Sequence, residues 1–235
     1  MDEKNRGARG VASSLAGLAR KNLRVIVVCA CVLVFLMILE DVYDVESMRL
    51  DRAAYWLIVE HLRTPWLTPV MESFSALATP VSLVVLLLAV AAFAPGKRPG
   101  MCCAVNLVLV VVINQVLKFI IQRPRPDGFR LATASGFSFP SGHSMVAMAF
   151  FGLLAWLVWK YEADRRLRRL YATGFALVIV MIGVSRIYLG VHYASDVLGG
   201  FCLSMAWLAV YTRVAVPLFI GEDDLGSSGE EALRR

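Results

Sequence analysis

Apolar residues in this chain come in long uninterrupted runs separated by short polar breaks. Six windows, about 23–40, 79–95, 101–121, 143–160, 170–189 and 195–218, are long and apolar enough to cross a bilayer. The hydrocarbon core takes roughly 20 residues of helix, with a range of about 17–25. The pattern predicts an all-α fold: an integral membrane bundle of six transmembrane helices. Some twenty polar or small residues precede the first run. No small-residue cleavage site follows it, so it reads as a retained span rather than a cleaved signal.

The polar breaks divide the chain further. Residues 1–22 read as a frayed cytoplasmic tail, 23–220 as the six-span domain, and 221–235 as an acidic, solvated cytoplasmic tail. Turn residues around Pro95-Gly96 and the charged stretch from Lys160 to Arg169 read as loops on the cytoplasmic side. The stretch 41–79 is long for a connection. Leu50, Ala54, Leu57, Ile58 and His61 recur at helical spacing, with Arg49, Asp51, Arg52 and Glu60 elsewhere on the turn. That predicts an amphipathic helix in the outer interface, with Trp56 and Trp66 in the aromatic belt. Pro65, Pro69 and Pro80 then break the path. Gly174 and Gly183 in the fifth window, and Gly199 and Gly200 in the sixth, offer surfaces for close helix packing.

Composition agrees with the runs. The chain is 58% hydrophobic and 18% charged, against about 45–50% and 25% for soluble domains. A net charge of +6 would suit nucleic acid, but its distribution does not. With the N-terminus in the cytoplasm, sixteen of the 24 Lys and Arg fall inside and eight outside, as the positive-inside bias requires. Both termini are then cytoplasmic, and no nucleic-acid motif is present. Cys29, Cys31, Cys102, Cys103 and Cys202 all lie within apolar windows without zinc-type spacing, and behave as small hydrophobes.

Three polar segments break this economy, and all fall where spans meet the outer face. The first ends the third span with Lys118, Arg123-Pro124 and Arg125-Pro126. Lysine supplies a compact charge and arginine a planar fork suited to phosphate oxygens. The second, Pro140-Ser141-Gly142-His143, opens the fourth span. A helix start leaves N–H groups free for an anion, and glycine lets it come close. The third is Ser185-Arg186, His192 and Asp196. His192 and Asp196 are four apart, so on a helix they share a face. The carboxylate can then fix the ring tautomer and leave the other nitrogen as nucleophile or base. A helix-capping Asp beside an interfacial His is the plainer alternative. Ionisable residues at the mouth of a span favour function.

Lys118-x6-Arg125-Pro126, Pro140-Ser141-Gly142-His143 and Ser185-Arg186-x5-His192-x3-Asp196 resemble, in order and spacing, the three signature motifs of the type 2 phosphatidic acid phosphatase family. The resemblance implies an integral-membrane lipid phosphatase acting at the outer leaflet without cofactor or metal. It implies that His192 attacks phosphorus to form a phosphohistidine, Asp196 orients it, and His143 protonates the leaving oxygen. Lys118, Arg125, Ser141, Gly142 and Arg186 would hold the phosphoryl oxygens with Ser185 in support, and Arg123 is a further candidate. The two histidines in opposite protonation states predict a bell-shaped pH dependence. The substrates implied are a membrane phospholipid or polyprenyl (pyro)phosphate: undecaprenyl pyrophosphate, phosphatidylglycerophosphate, phosphatidic acid or diacylglycerol pyrophosphate. Two other readings stand beside this one: transfer of the phosphoryl group to a lipid or glycan acceptor, and an anion or lipid transporter. A transporter would show polar or broken helices near the midplane. Spans one, two and four are nearly unbroken, and Asn106 and Asn114 are the main polar intrusions in span three.

Overall fold

A computed structural model describes residues 22–44, 49–94, 98–128 and 130–220. The expectations for the N-terminal tail, the Pro95-Gly96 turn and the acidic tail lie outside the described residues. Five helices are long and apolar enough to span a membrane: α1 (Leu23–Tyr43), α5 (Arg98–Ile121), α6 (Gly142–Tyr161), α7 (Arg165–Tyr188) and α8 (Ala194–Val214). The chain is a multi-pass membrane protein. Large apolar side chains such as Phe93, Phe119 and Leu218 are 89%, 74% and 80% exposed. A water-facing surface rarely carries so much of this, whereas lipid accepts it.

The second apolar window takes another form. It yields α4 (Pro80–Phe93), a helix of 14 residues, which at 1.5 Å per residue is only about 21 Å long. Pro80 stands at its first position, and the Thr79 side chain accepts the Ser82 N–H. The short helix α3 (Thr68–Ala76) precedes it at a bend of 57°. Only together does the pair reach the length and apolarity of a span, as a broken span or a re-entrant loop.

The centre of the bundle is α6 and α8, whose span windows are 44% and 50% buried, against 11% for α1. Phe150, Leu153, Val110 and Ile182 form the fully buried core. Glycines set how closely the central helices approach. A Cβ at Gly200 would lie 3.0 Å from the Ser141 carbonyl oxygen, and one at Gly199 2.7 Å from the Phe139 ring. Gly183 meets Phe201 in the same way, but Gly174 faces open space, so close packing explains three of the four glycines. In the half of the bundle away from the Lys118 end of α5, the Trp207 indole donates to the Asn106 side chain, which donates to the Ala149 carbonyl. That satisfies a buried amide across three helices.

The outer segment departs from the expected continuous amphipathic helix. It forms α2 (Arg49–Ala54), a π-helical stretch Tyr55–His61, and then α3. Ala54 and Ile58 turn inward onto Ile187, Ala194 and Val197, while Leu50, Leu57 and Trp56 face outward. Asp51, expected on the solvated side, is 7% exposed. His61 stacks on Trp56 and its Nδ1 lies 2.7 Å from the Trp56 carbonyl oxygen, at the surface. Tyr188, at the C-terminal end of α7, ties the 64–68 region down: its hydroxyl donates to the Thr64 carbonyl at 2.9 Å and accepts the Thr64 N–H at 2.9 Å.

Candidate active site

Three chain breaks build one cavity of about 510 Å³ at one end of the bundle. The first break follows α5. Gln122 takes a left-handed backbone, φ 52°, and its N–H returns to the Lys118 carbonyl. That ends the helix without a glycine. Pro124 and Pro126 then keep the chain extended across the mouth of the bundle. Lys118 stays on the last turn of α5. Its ammonium donates to the carbonyls of Phe137 and Ser138. Arg125 is held by the same loop, donating from Nε to Gly136 O and from Nη2 to Ser135 O. Loop carbonyls thus aim both cations before any anion arrives.

The second break starts α6. Ser141 is its N-cap, in extended conformation and fully buried. Its hydroxyl takes the Ser144 hydroxyl at 2.9 Å and the Ser144 N–H at 3.4 Å. Gly142 and His143 follow on the cavity wall. Asn114 of α5 braces this turn by donating to the Pro140 carbonyl at 3.0 Å. The helix N-terminus therefore points its free N–H groups toward the cations.

The third break lies between α7 and α8. His192 sits in the turn just before α8, not on the helix as its spacing from Asp196 suggested. Asp196 reaches back from the first turn, and its Oδ2 accepts the Tyr193 N–H at 2.9 Å. The same oxygen lies 3.2 Å from His192 Nδ1 and accepts the Ser138 hydroxyl. One carboxylate caps the helix and orients the imidazole, so the two sequence alternatives describe a single residue. With Nδ1–H donated to Asp196, Nε2 keeps its lone pair toward the cavity, 3.3 Å from Arg125 Nη1. Burial pushes the His192 pKa down to about 4, with Arg125 and Lys118 adding to the shift and Asp196 opposing it. The ring is therefore neutral at neutral pH.

Of the sequence candidates, Lys118, Arg125, Gly142, His143, Arg186 and His192 line the cavity. Arg186 comes in from α7, donates to the Ser75 hydroxyl, and keeps a buried Nε with no partner. Among the described residues no carboxylate lines the cavity, so its field favours an anion. Ser141, Ser185 and Asp196 are fully buried behind the wall, and the Ser185 hydroxyl is taken up by the Ile182 carbonyl. Arg123 points away from the cavity. Its Nη1 donates to Asp196 Oδ1 at 2.6 Å and to Ser195 Oγ at 2.7 Å, and its Nη2 to Asp51 Oδ2 at 3.0 Å. Ser138, Ser195, Ser75 and Asp51 were not legible as site residues, because nothing in their local sequence sets them apart. Among the described residues no group of three His, Cys, Asp or Glu side chains is placed to hold a metal ion.

A cavity with three cations, a helix N-terminus and two imidazoles is equipped to bind a phosphoryl group and exchange its ester partner. Known proteins point the same way. A model of the PAP2 superfamily matches residues 99–219, which contain all three segments. Phosphatidylglycerophosphatase B of Bacillus subtilis is 35% identical over 149 residues, covering 61% of this chain and 73% of that protein. Lipid A 1-phosphatase of Rhizobium johnstonii is 33% identical over 113 residues, covering 44% of this chain and 42% of its own length. The crystal structure of a transmembrane PAP2-type phosphatidylglycerolphosphate phosphatase from Bacillus subtilis superposes with a TM-score of 0.68 at 30% identity, over 78% of this chain and 94% of that one. Aquifex aeolicus LpxE shares the fold at a TM-score of 0.56. The chain belongs to the PAP2 superfamily of membrane phosphatases.

Proposed function

We propose that this protein hydrolyses the terminal phosphate of a membrane lipid in two steps, through a phosphohistidine on His192. The observation that carries the proposal is the pairing at one ring: Nδ1 against Asp196, and Nε2 toward three cations. In the first step the Nε2 lone pair attacks phosphorus. The bond to the lipid oxygen breaks, and that oxygen leaves with the electron pair and takes a proton from His143. In the second, water attacks the phosphohistidine, gives a proton to His143, and releases phosphate and neutral His192. Lys118, Arg125 and Arg186 stabilise the charge on the equatorial oxygens, and Arg186 Nε is a buried donor with no partner of its own.

Phosphatidylglycerophosphate heads the substrate classes, since the Bacillus subtilis relatives by sequence and by structure are named for it. Undecaprenyl pyrophosphate follows, and the Sulfolobus acidocaldarius relative is named an undecaprenyl-diphosphatase. The lipid tail enters from the side. Phe119, on the lipid-facing surface of α5, also lines the cavity, so the wall there is continuous with the membrane. The site opens to the outer leaflet, as the Lys and Arg distribution implies, and both termini are cytoplasmic.

The test is phosphate release by the detergent-purified protein, with a chelator present, from a panel of phosphorylated lipids, beside His192→Ala. Release that survives chelation and is lost in the variant is expected. Phosphate appearing on an acceptor instead of in solution would replace hydrolysis with transfer. Release that stops with the chelator would replace the metal-free mechanism.

A further inference from the structure

Arg123 and Asp51 form a charge-balanced clasp behind the nucleophile. We infer that they are positioning residues, which hold Asp196 in register with His192 and make the site depend on docking of the outer helix α2. The inference rests on the proposed role of Asp196.

The geometry is a chain of buried charges. Arg123 uses separate nitrogens for Asp196 Oδ1, at 2.6 Å, and Asp51 Oδ2, at 3.0 Å. Asp51 in turn accepts the Ser195 N–H at 2.8 Å and the Ser195 hydroxyl at 2.7 Å. The Arg123 guanidinium also lies over the Tyr193 ring, 4.1 Å from its centroid. Every contact is to the turn between His192 and Asp196 or to Asp51. None is to the cavity.

Charge balance explains why two carboxylates are needed. A single arginine facing Asp196 alone would neutralise it and weaken its pull on the His192 proton. Asp51 draws part of that charge away, leaving the three groups at a net −1 and Asp196 able to polarise the ring. The buried arginine also keeps no unpaired charge, which would otherwise be costly. Asp51 lies on α2, outside the region 99–219 that the family model matches. Ala54 of α2 and Ile58 of the π-helical stretch that follows it pack on Ala194, Ile187 and Val197. Docking of α2 therefore completes the support of the site.

The test compares kcat, KM and the inhibition constant of inorganic phosphate, the product, for wild type, Arg123→Gln, Asp51→Asn and the double variant. Each single change should lower kcat about 10²-fold, the scale of a misplaced reacting group. KM and phosphate inhibition should stay within about twofold. The double variant should lose no more than the worse single, since the pair acts as a unit. The acid limb of the Arg123→Gln profile should move up in pH. Asp196, freed of the arginine, holds the His192 proton more strongly, while Arg125 and Lys118 still face the ring. Arg123→Lys gives a second reading in a milder variant: one ammonium cannot bridge both carboxylates, so kcat should fall with phosphate inhibition intact. Weakened phosphate inhibition would make Arg123 a phosphate ligand and overturn the inference, as would multiplicative losses in the double variant or wild-type kcat in Arg123→Lys. Failure of the underlying reading looks different: wild type itself would release no phosphate, or His192→Ala would retain activity.

Discussion

In the proposed mechanism His192 is the nucleophile, and its surroundings set its pH behaviour. Its folded pKa of about 4 lies below the ordinary histidine value because burial disfavours the charged ring. Protonation fills the lone pair that attacks phosphorus. The kcat/KM profile should therefore fall about tenfold per unit once pH drops below that pKa, and fall again on the basic side as His143 loses the proton it gives to the leaving oxygen. An acid limb centred near 6.5 instead would mean a hydrated ring. Ser138 is fully buried and gives its hydroxyl to Asp196. A hydrogen bond to a charged group is worth about 1.5–3 kcal/mol, so Ser138→Ala should lower kcat roughly tenfold or more, read in the same assay. The histidines and Asp196 were legible because their spacing is a sequence property. The partners of Asp196 were not. Arg123 is 73 residues away and Asp51 lies on another element, and a local pattern carries no information about which distant side chain arrives.

At the scale of elements, apolar run length and prolines located the spans well. Window 79–95 holds only the 14-residue α4, which reaches span length only with α3 across the bend before Pro80. The outer segment misled for a related reason: helical periodicity reports an apolar stripe but not which side meets protein and which meets lipid. In α2 only Asp51 is buried and Ala54 half-buried, and the charged Asp51 goes inward because Ser195 and Arg123 satisfy it. The glycines allow a paired test. A Cβ at Gly200 would press on the Ser141 backbone oxygen, whereas at Gly174 it meets nothing within 4 Å. Gly200→Ala should cost about 1–3 kcal/mol through overpacking. Gly174→Ala should be neutral or gain up to about 1 kcal/mol from helix propensity. Thermal unfolding in detergent reads both, and equal shifts would mean that α6 and α8 are not in close register at Gly200.

At the scale of the whole molecule, the central question is which way the bundle sits and what it does there. The proposed orientation, argued from the Lys and Arg distribution, has the cavity outside. A cysteine at Asp127, beside the cavity loop, should react with an impermeant maleimide applied from outside, and one at Glu162, between α6 and α7, only after permeabilisation. The reverse labelling would invert the topology and move the site to the inner leaflet. The lipid class was not legible in the sequence, because three cations and a helix N-terminus recognise phosphate whatever it is attached to. The measurement that tests the mechanism most directly is rapid acid-free quenching of the enzyme during turnover of a ³²P-labelled lipid, followed by peptide mapping. An alkali-stable, acid-labile label on the peptide carrying His192, absent in His192→Ala, is the expected result. Turnover with no phosphoenzyme at any time, together with inversion of configuration at phosphorus, would show direct attack by water and remove His192 as the nucleophile.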